Sequence, residues 1–209
     1  MIDTNLAIVL GLTWEYIPRQ FFESWIQMSS DIERNRIKYS VVLSTRGRAD
    51  DLRNSAINTI LKDGSFDKVL FLDIDHRHKP DTISRLLSHN LPIVSGLSFR
   101  RSEPYDPIMF KQVGDKFENI TKWNKDEVVE VDAVGAASLL VDVNVFKEIE
   151  SPWFEMNYPF GKGVVSEDFA FCLKAKDKGH KVYVDTSCTN NHLGNLEINQ
   201  DTWERFNGL

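Results

Sequence analysis

The sequence predicts an α/β fold: a single domain built on a mostly parallel central sheet flanked by helices, with a small antiparallel hairpin in its second half. Three observations carry this expectation. Three short apolar runs, at 6–10, 39–43 and 68–72, are continuous rather than alternating, which is the pattern of parallel strands covered on both faces. Each run is followed by a polar turn and then by apolar residues at helical spacing, the rhythm of βαβ units. After Tyr105 the rhythm changes to short runs separated by turn residues, which reads as antiparallel pairing.

The elements follow in order. After the first strand, Phe21, Phe22, Trp25, Ile26 and Met28 recur at helical spacing. After the second, Asp50 or Asp51 can cap a helix whose Leu52, Ala56, Ile57, Ile60 and Leu61 share one face, and Gly64 stops it. After the third, Pro80 opens a helix that runs through Ile83, Leu86 and Leu87 to Asn90. A fourth strand occupies 92–95. In the second half, 108–113 and 116–121 flank a Gly114-Asp115 turn and predict a hairpin. Strands at 128–134 and 137–141 are interrupted at Gly135. Asp142 caps a short helix that ends before Pro152, Ser166 caps a helix that runs to Gly179, and a strand at 181–184 follows. The tail from 186 to 209 is polar and reads as irregular.

Composition narrows the function. With 209 residues, 42% of them apolar, the chain is long enough to bury a sizeable core in one domain. A net charge of −6 argues against general nucleic-acid binding, which depends on neutralising phosphates. A phosphate-bearing ligand would therefore need a locally basic pocket or a metal ion. The two cysteines, Cys172 and Cys188, are too few for a disulfide scaffold and lack zinc-site spacing, so they read as reduced thiols of a cytoplasmic protein. The early apolar run, 6–12, falls far short of the roughly 20 residues of a membrane span and follows Asp3 rather than a basic stretch, so no integral membrane segment or signal peptide is expected.

The sharpest feature is Phe71-Leu72-Asp73-Ile74-Asp75, an apolar strand that ends in two carboxylates two residues apart. With a side-chain period of two, both point to one side if the strand continues. In open α/β sheets ligands sit at the carboxyl ends of strands. Two close carboxylates repel each other unless a cation lies between or beside them, and hard divalent cations bridge carboxylates to substrate phosphates. The pattern points to a metal holding a diphosphate. The plainer reading is that Asp73 and Asp75 end a strand and cap the next turn.

Other groups can complete such a site. Glu167 and Asp168 open a helix, where its dipole favours the ionised form, and an ionised carboxylate there can accept a hydroxyl proton. They also serve as ordinary first-turn residues. His192, after the last strand, can join a carboxylate on a metal, or be a satisfied loop side chain. His76 can touch the site, whereas His78 is expected to face solvent. Arg46, Arg48 and Arg53 cluster after the second strand, and Arg100 and Arg101 follow the fourth; guanidinium groups suit phosphates, or are ordinary surface charge. Trp14 can stack on a base or be buried.

Taken together, these segments resemble the GT-A, Rossmann-like glycosyltransferases, in particular the family 2-like group that includes viral and phage-borne members. The resemblance spans residues 6–194. It is carried by residues 17–24, the Arg53-Asn54 helix start, VLFLDIDHRHKPDTISRLL, LPIVSGL, DAVGAASLLVDVNVF, SPWF, VSEDFAFCLKAKDKGHKVYVD and His192-Leu193-Gly194, in that order. It implies a nucleotide-sugar half at about 1–105 and an acceptor and catalytic half at about 106–209. It implies that Thr13, Thr45, Arg46, Arg48, Arg53, Asp73, Gly135 and Ala136 contact the donor, a UDP-sugar by preference. Asp75, Asp73 and His192 would hold Mn²⁺ or Mg²⁺. Asp168 would be the base of an inverting transfer, with Glu167 in support, to a glycan, protein-linked or lipid-linked acceptor. The location implied is the cytoplasm, that of the host for a viral member, with or without peripheral membrane contact.

The sequence departs from the family pattern at one place. Residues 40–61 look like the first strand and helix of many family 2 enzymes, yet a complete strand–helix unit precedes them. The run at 6–13 is therefore read as the first strand. Three other readings compete. A haloacid dehalogenase-like phosphatase also carries D-x-D after an apolar strand, but Arg77 stands where that family has Thr or Val. A nucleotidyltransferase needs a Gly-rich basic loop, for which Gly11-Leu12-Thr13-Trp14 is a poor match. A non-catalytic nucleotide- or carbohydrate-binding module would not need Asp73, Asp75, Asp168 and His192 together.

Overall fold

The computed structural model describes residues 4–12, 16–45, 47–124, 126–194 and 197–209. The first half alternates strand and helix: β1 (Asn5–Gly11), α1 (Arg19–Asn35), β2 (Lys38–Ser44), α2 (Ala49–Asp63), β3 (Lys68–Asp73), β4 (His76–Arg77), α3 (Thr82–Ser88) and β5 (Ile93–Ser98). The second half holds β6 (Met109–Val113), β7 (Lys116–Asn119), β8 (Val128–Val131), β9 (Ala133–Val134), β10 (Ser138–Asp142), α4 (Val143–Glu148), β11 (Tyr158–Phe160), β12 (Gly163–Val165), α5 (Glu167–Asp177), β13 (Val182–Leu193), β14 (Glu197–Ile198) and α6 (Gln200–Asn207).

The main sheet runs β14-β13-β5-β10-β3-β1-β2. β1 pairs in parallel with β2 and β3, and β13 in parallel with β5. β10 lies antiparallel between β3 and β5. Strand alternation divides the core into two layers. Ala7, Val9, Val69 and Phe71 face one side and pack with α2, α4 and α5 through Ile57, Phe146 and Phe171. Leu6, Ile8, Leu10, Leu70 and Leu72 face the other and pack with α1 and α3 through Phe21, Met28 and Leu86. The small hairpin of β6 and β7 turns at Gly114, whose φ of 58° suits a residue without a Cβ.

The structure corrects several expectations. The run at 39–43 is not covered on both faces, because β2 is the edge strand and leaves Tyr39, Val41 and Leu43 exposed. The α2 helix is capped by Arg48, whose N–H donates to Asp51 at 3.2 Å, so Asp50 and Asp51 sit in its first turn. The strand expected over 128–134 breaks at Asp132, whose carboxylate accepts from the Gln112 N–H and the Lys176 ammonium. The tail carries regular elements: β13 continues to Leu193 with a bulge between Asp185 and Thr189, and β14 and α6 follow. The polar run that hid this strand is satisfied internally. Asp185 is fully buried and accepts from Arg85 at 2.6 Å and from the Ser187 N–H at 2.9 Å, with His89 2.7 Å away. Both cysteines are free and buried, and burial pushes each thiol up to about 12. Among the described residues, no helix is long and apolar enough to cross a membrane.

Candidate functional site

Strand ends converge where β1, β3 and β5 reach their carboxyl termini, the position the sheet topology makes available to ligands. A cavity of about 320 Å³ opens there, lined among others by Arg53, Asp73, Asp75, Arg101, Gly135 and Asp168. A larger cavity, about 870 Å³, includes Arg77 and Asn191 in its lining. Arg77 and Asn191 are register partners on the antiparallel β4–β13 ribbon, as are His76 and His192. Successive side chains of a strand point to opposite faces, so the ribbon presents its two histidines to the smaller cavity and their neighbours to the larger. Of the titratable groups singled out in the sequence, Arg53, Asp73, Asp75, Arg101, Glu167 and Asp168 line the smaller one with the two histidines, whereas His78 lines the larger.

Asp75 leaves the end of β3 through a tight turn, and its carbonyl accepts from the Leu193 N–H at 2.8 Å. That bond fixes the end of β13 against the turn and brings His192 to Asp75, with Nε2 3.4 Å from Oδ2. The other ring nitrogen of His192 donates to the Phe99 carbonyl at 3.0 Å. This selects the tautomer whose Nε2 lone pair faces Asp75. His76 stacks on His192 with ring centroids 4.1 Å apart, and its Nδ1 donates to Asp75 Oδ1 at 2.8 Å. The His76 Nε2 atom is buried without a partner. Asp75, His76 and His192 each offer a ligand atom within 4.8 Å of the others. Burial opposes charge on Asp75, but its neighbours His192 and His76 hold its carboxyl well below the usual range. This donor set suits a divalent cation. A positive group already uses it, because Arg101 donates to Asp75 Oδ2 and lies 2.8 Å from His192 Nε2.

Asp73 turns to a different partner. Arg53 of α2 donates through Nη2 to both Asp73 oxygens, at 3.1 and 3.3 Å, and through Nη1 to Glu167 of α5 at 2.7 Å. The guanidinium is buried over the Phe154 ring. Burial opposes its charge, but Asp73, Glu167 and Asp168 more than offset this and keep Arg53 ionised. One cation thus ties the end of β3 to the first turn of α5.

Asp168 lies in that first turn and accepts from the Ser166 hydroxyl and from the Phe169 N–H. Burial and the neighbouring Glu167 charge push its carboxyl up to about 6. Gly135 lies against it: a Cβ at Gly135 would come within 3.6 Å of Asp168 Oδ2 and 3.0 Å of Ile108. Ala136 is buried beside Gly135 in the cavity wall.

The structure therefore brings together Arg53, Asp73, Asp75, Gly135, Ala136, Glu167, Asp168 and His192 around one cavity. Arg48 is exposed at the start of α2 and pairs with Asp50, and Thr45 is exposed just past β2. Thr13, Trp14 and Arg46 lie outside the described residues. His78 does not face solvent: it is buried, with ring nitrogens 2.9 Å from Asn190 and 3.0 Å from the Asp73 carbonyl, and burial and His76 hold it neutral at about 4. The sequence left His76 and Arg101 as marginal candidates, and the strand pairing that places His76 opposite His192 is what raises it.

No family model and no curated protein sequence matches the chain significantly. Solved structures do. Protein A197 from STIV superposes over 95% of this chain and 91% of its own, with a TM-score of 0.62 at 16% identity. A Drosophila beta-1,4-galactosyltransferase 7 mutant, in complex with manganese, UDP-Gal and xylobiose, covers 92% of this chain and 71% of its own, with a TM-score of 0.55 at 15% identity. GalNAc-T7 with UDP, GalNAc and Mn²⁺ covers 92% of this chain and 43% of its own, with a TM-score of 0.55 at 10% identity. At such identities the likeness speaks to architecture, and with the strand order above it establishes that the chain has the GT-A glycosyltransferase fold.

Proposed function

We propose that this chain is a metal-dependent glycosyltransferase that moves a sugar from a nucleotide-diphosphate donor, a UDP-sugar, to a hydroxyl of a glycan, protein-linked or lipid-linked acceptor, with inversion. The observation that carries this reading is the shared cavity, in which Asp75 and His192, donors suited to a cation, lie together with Asp168, a carboxyl at about 6. Solved structures of the same fold hold UDP and manganese, which is the ligand set this pair would take.

In this reading Asp75 and His192 hold the ion, and His76 fixes the orientation of the Asp75 carboxylate. The imidazole nitrogen of His192 favours Mn²⁺ over Mg²⁺. The ion, when bound, would neutralise the diphosphate as it departs. Asp168, in its ionised form, takes the proton of the acceptor hydroxyl. That oxygen bonds to the anomeric carbon as the bond to the diphosphate oxygen breaks. Arg53 positions Asp73 and Glu167, so that Asp73 can meet the donor ribose or sugar and Glu167 can hold Asp168 near its working range. The absence of a Cβ at Gly135 leaves room for the donor sugar beside Asp168. The phosphatase reading fares worse, because Asp73, its nucleophile, is bonded through both oxygens to Arg53.

The deciding experiment is calorimetric titration of UDP with and without Mn²⁺, on the native protein and on Asp75→Ala. Micromolar binding that needs the metal and disappears in the variant is expected. Equal binding with and without metal would remove the metal from the reading, and no binding at all would remove the nucleotide.

A further inference from the structure

We propose that Arg101 is a built-in counter-cation of the metal site, one that the divalent ion displaces and that then grips the donor diphosphate. This rests on the proposed function and deepens it by naming how metal and nucleotide binding are coupled.

The geometry makes the two cations exclusive. Arg101 Nη2 donates to Asp75 Oδ2 and also lies 2.8 Å from His192 Nε2, with Nε 3.2 Å from the same atom. These are the two electron-pair donors that converge on one point, because the Phe99 carbonyl has fixed the His192 tautomer. A metal ligated by both would have to occupy the point where their lone pairs meet. A guanidinium nitrogen already within hydrogen-bond reach of both atoms occupies that space, and two positive charges there would repel each other. Metal entry therefore requires Arg101 to leave.

Arg101 has somewhere to go. It follows the end of β5 at the cavity rim, and its side chain is 48% exposed. Among the described residues its side chain is held by this pair alone, unlike Arg53, which is fixed by two carboxylates. A diphosphate in the cavity would offer oxygens that match the planar fork of the guanidinium. The same side chain thus opposes the metal when it enters alone and favours the nucleotide once the metal is in. Without Arg101 the empty pair would be a carboxylate facing an imidazole lone pair, a local excess of negative charge.

The prediction has opposite signs for the two ligands. Arg101→Ala should bind Mn²⁺ alone about fivefold more tightly than the native protein, the scale of a half-exposed ion pair. The same variant, saturated with Mn²⁺, should bind UDP about tenfold more weakly, the scale of a charge-assisted hydrogen bond. Arg101→Lys keeps the charge without the fork and should fall between them on both counts. Mn²⁺ affinity is read from the free-ion paramagnetic resonance signal and UDP affinity by calorimetry, so neither needs the acceptor. Equal Mn²⁺ affinity in native protein and Arg101→Ala overturns this proposal and leaves the proposed function intact. Absence of Mn²⁺ binding in both overturns the proposed metal site and this proposal with it.

Discussion

Asp168 shows how neighbours set the working range of one carboxyl. Folded, it keeps its proton to about pH 6, whereas the unfolded chain releases it near the ordinary value of 3.8. The folded state binds the extra proton in that window, so the stability this group contributes is fully present below 3.8 and is lost as pH rises through about 6. Activity runs the other way, since the base acts only when ionised. The pH profile of kcat/KM should climb through about 6 and then level. Burial is the largest cause of the shift and the Glu167 charge is the next. Glu167→Gln should therefore move the midpoint of that climb downward, and an unmoved midpoint would show that the Glu167 charge plays no part. Asp168→Asn should lower transfer about 10²- to 10⁴-fold while metal-dependent UDP affinity is retained. Turnover at the native rate would take Asp168 out of the mechanism.

The same logic applies where elements meet. Arg53 is the joint between β3, α2 and α5, and removing its charge leaves Asp73 and Glu167 facing each other across the space it filled. Arg53→Met should destabilise the fold by about 3 kcal/mol, the lower end for a broken buried pair, because Asp73 keeps some contact with water. Urea unfolding reads this directly, and a change below about 0.5 kcal/mol would mean the pair is loose in solution. A second joint is Gly96 of β5, where a Cβ would lie 2.5 Å from the Cys188 backbone carbonyl and 2.6 Å from Ser138 Oγ. Gly96→Ala should cost about 1–3 kcal/mol as the bulged part of β13 is pushed away. Elements held by local pattern were readable in the sequence: the apolar run of β3, the apolar face and glycine stop of α2, and the Gly114 hairpin all follow from neighbours in the chain. β13 beyond Val184 was not, because Asp185, Thr186 and Asn190 read as loop residues. Their polar groups are satisfied by Arg85, Glu127, His78 and Ser138, all distant in sequence. The burial of His78 was hidden for the same reason. Of the site, the D-x-D and the acids of α5 stood out by residue type and position, whereas the pairing of His76 with His192 depends on a ribbon that only the tertiary fold creates.

Across the whole molecule, α6 connects the fold to the site. Trp203 of α6 is buried against Trp123, with ring centroids 5.3 Å apart, and against Phe99 at 6.2 Å. Phe99 is the residue whose carbonyl fixes the His192 tautomer. A chain of contacts therefore runs from α6 through Phe99 to the metal-binding pair. Trp203→Ala should cost about 3–5 kcal/mol of stability, as loss of a large buried ring does. It should also weaken Mn²⁺ binding about tenfold, the scale of losing a partner that orients a metal ligand. Both are measurable on one sample, thermal unfolding for the first and Mn²⁺ titration well below the transition for the second. Stability lost with metal affinity unchanged would confine the tail to a supporting role. Both falling together would mean that α6 holds Phe99, and through it the lone pair of His192, in the register the site requires.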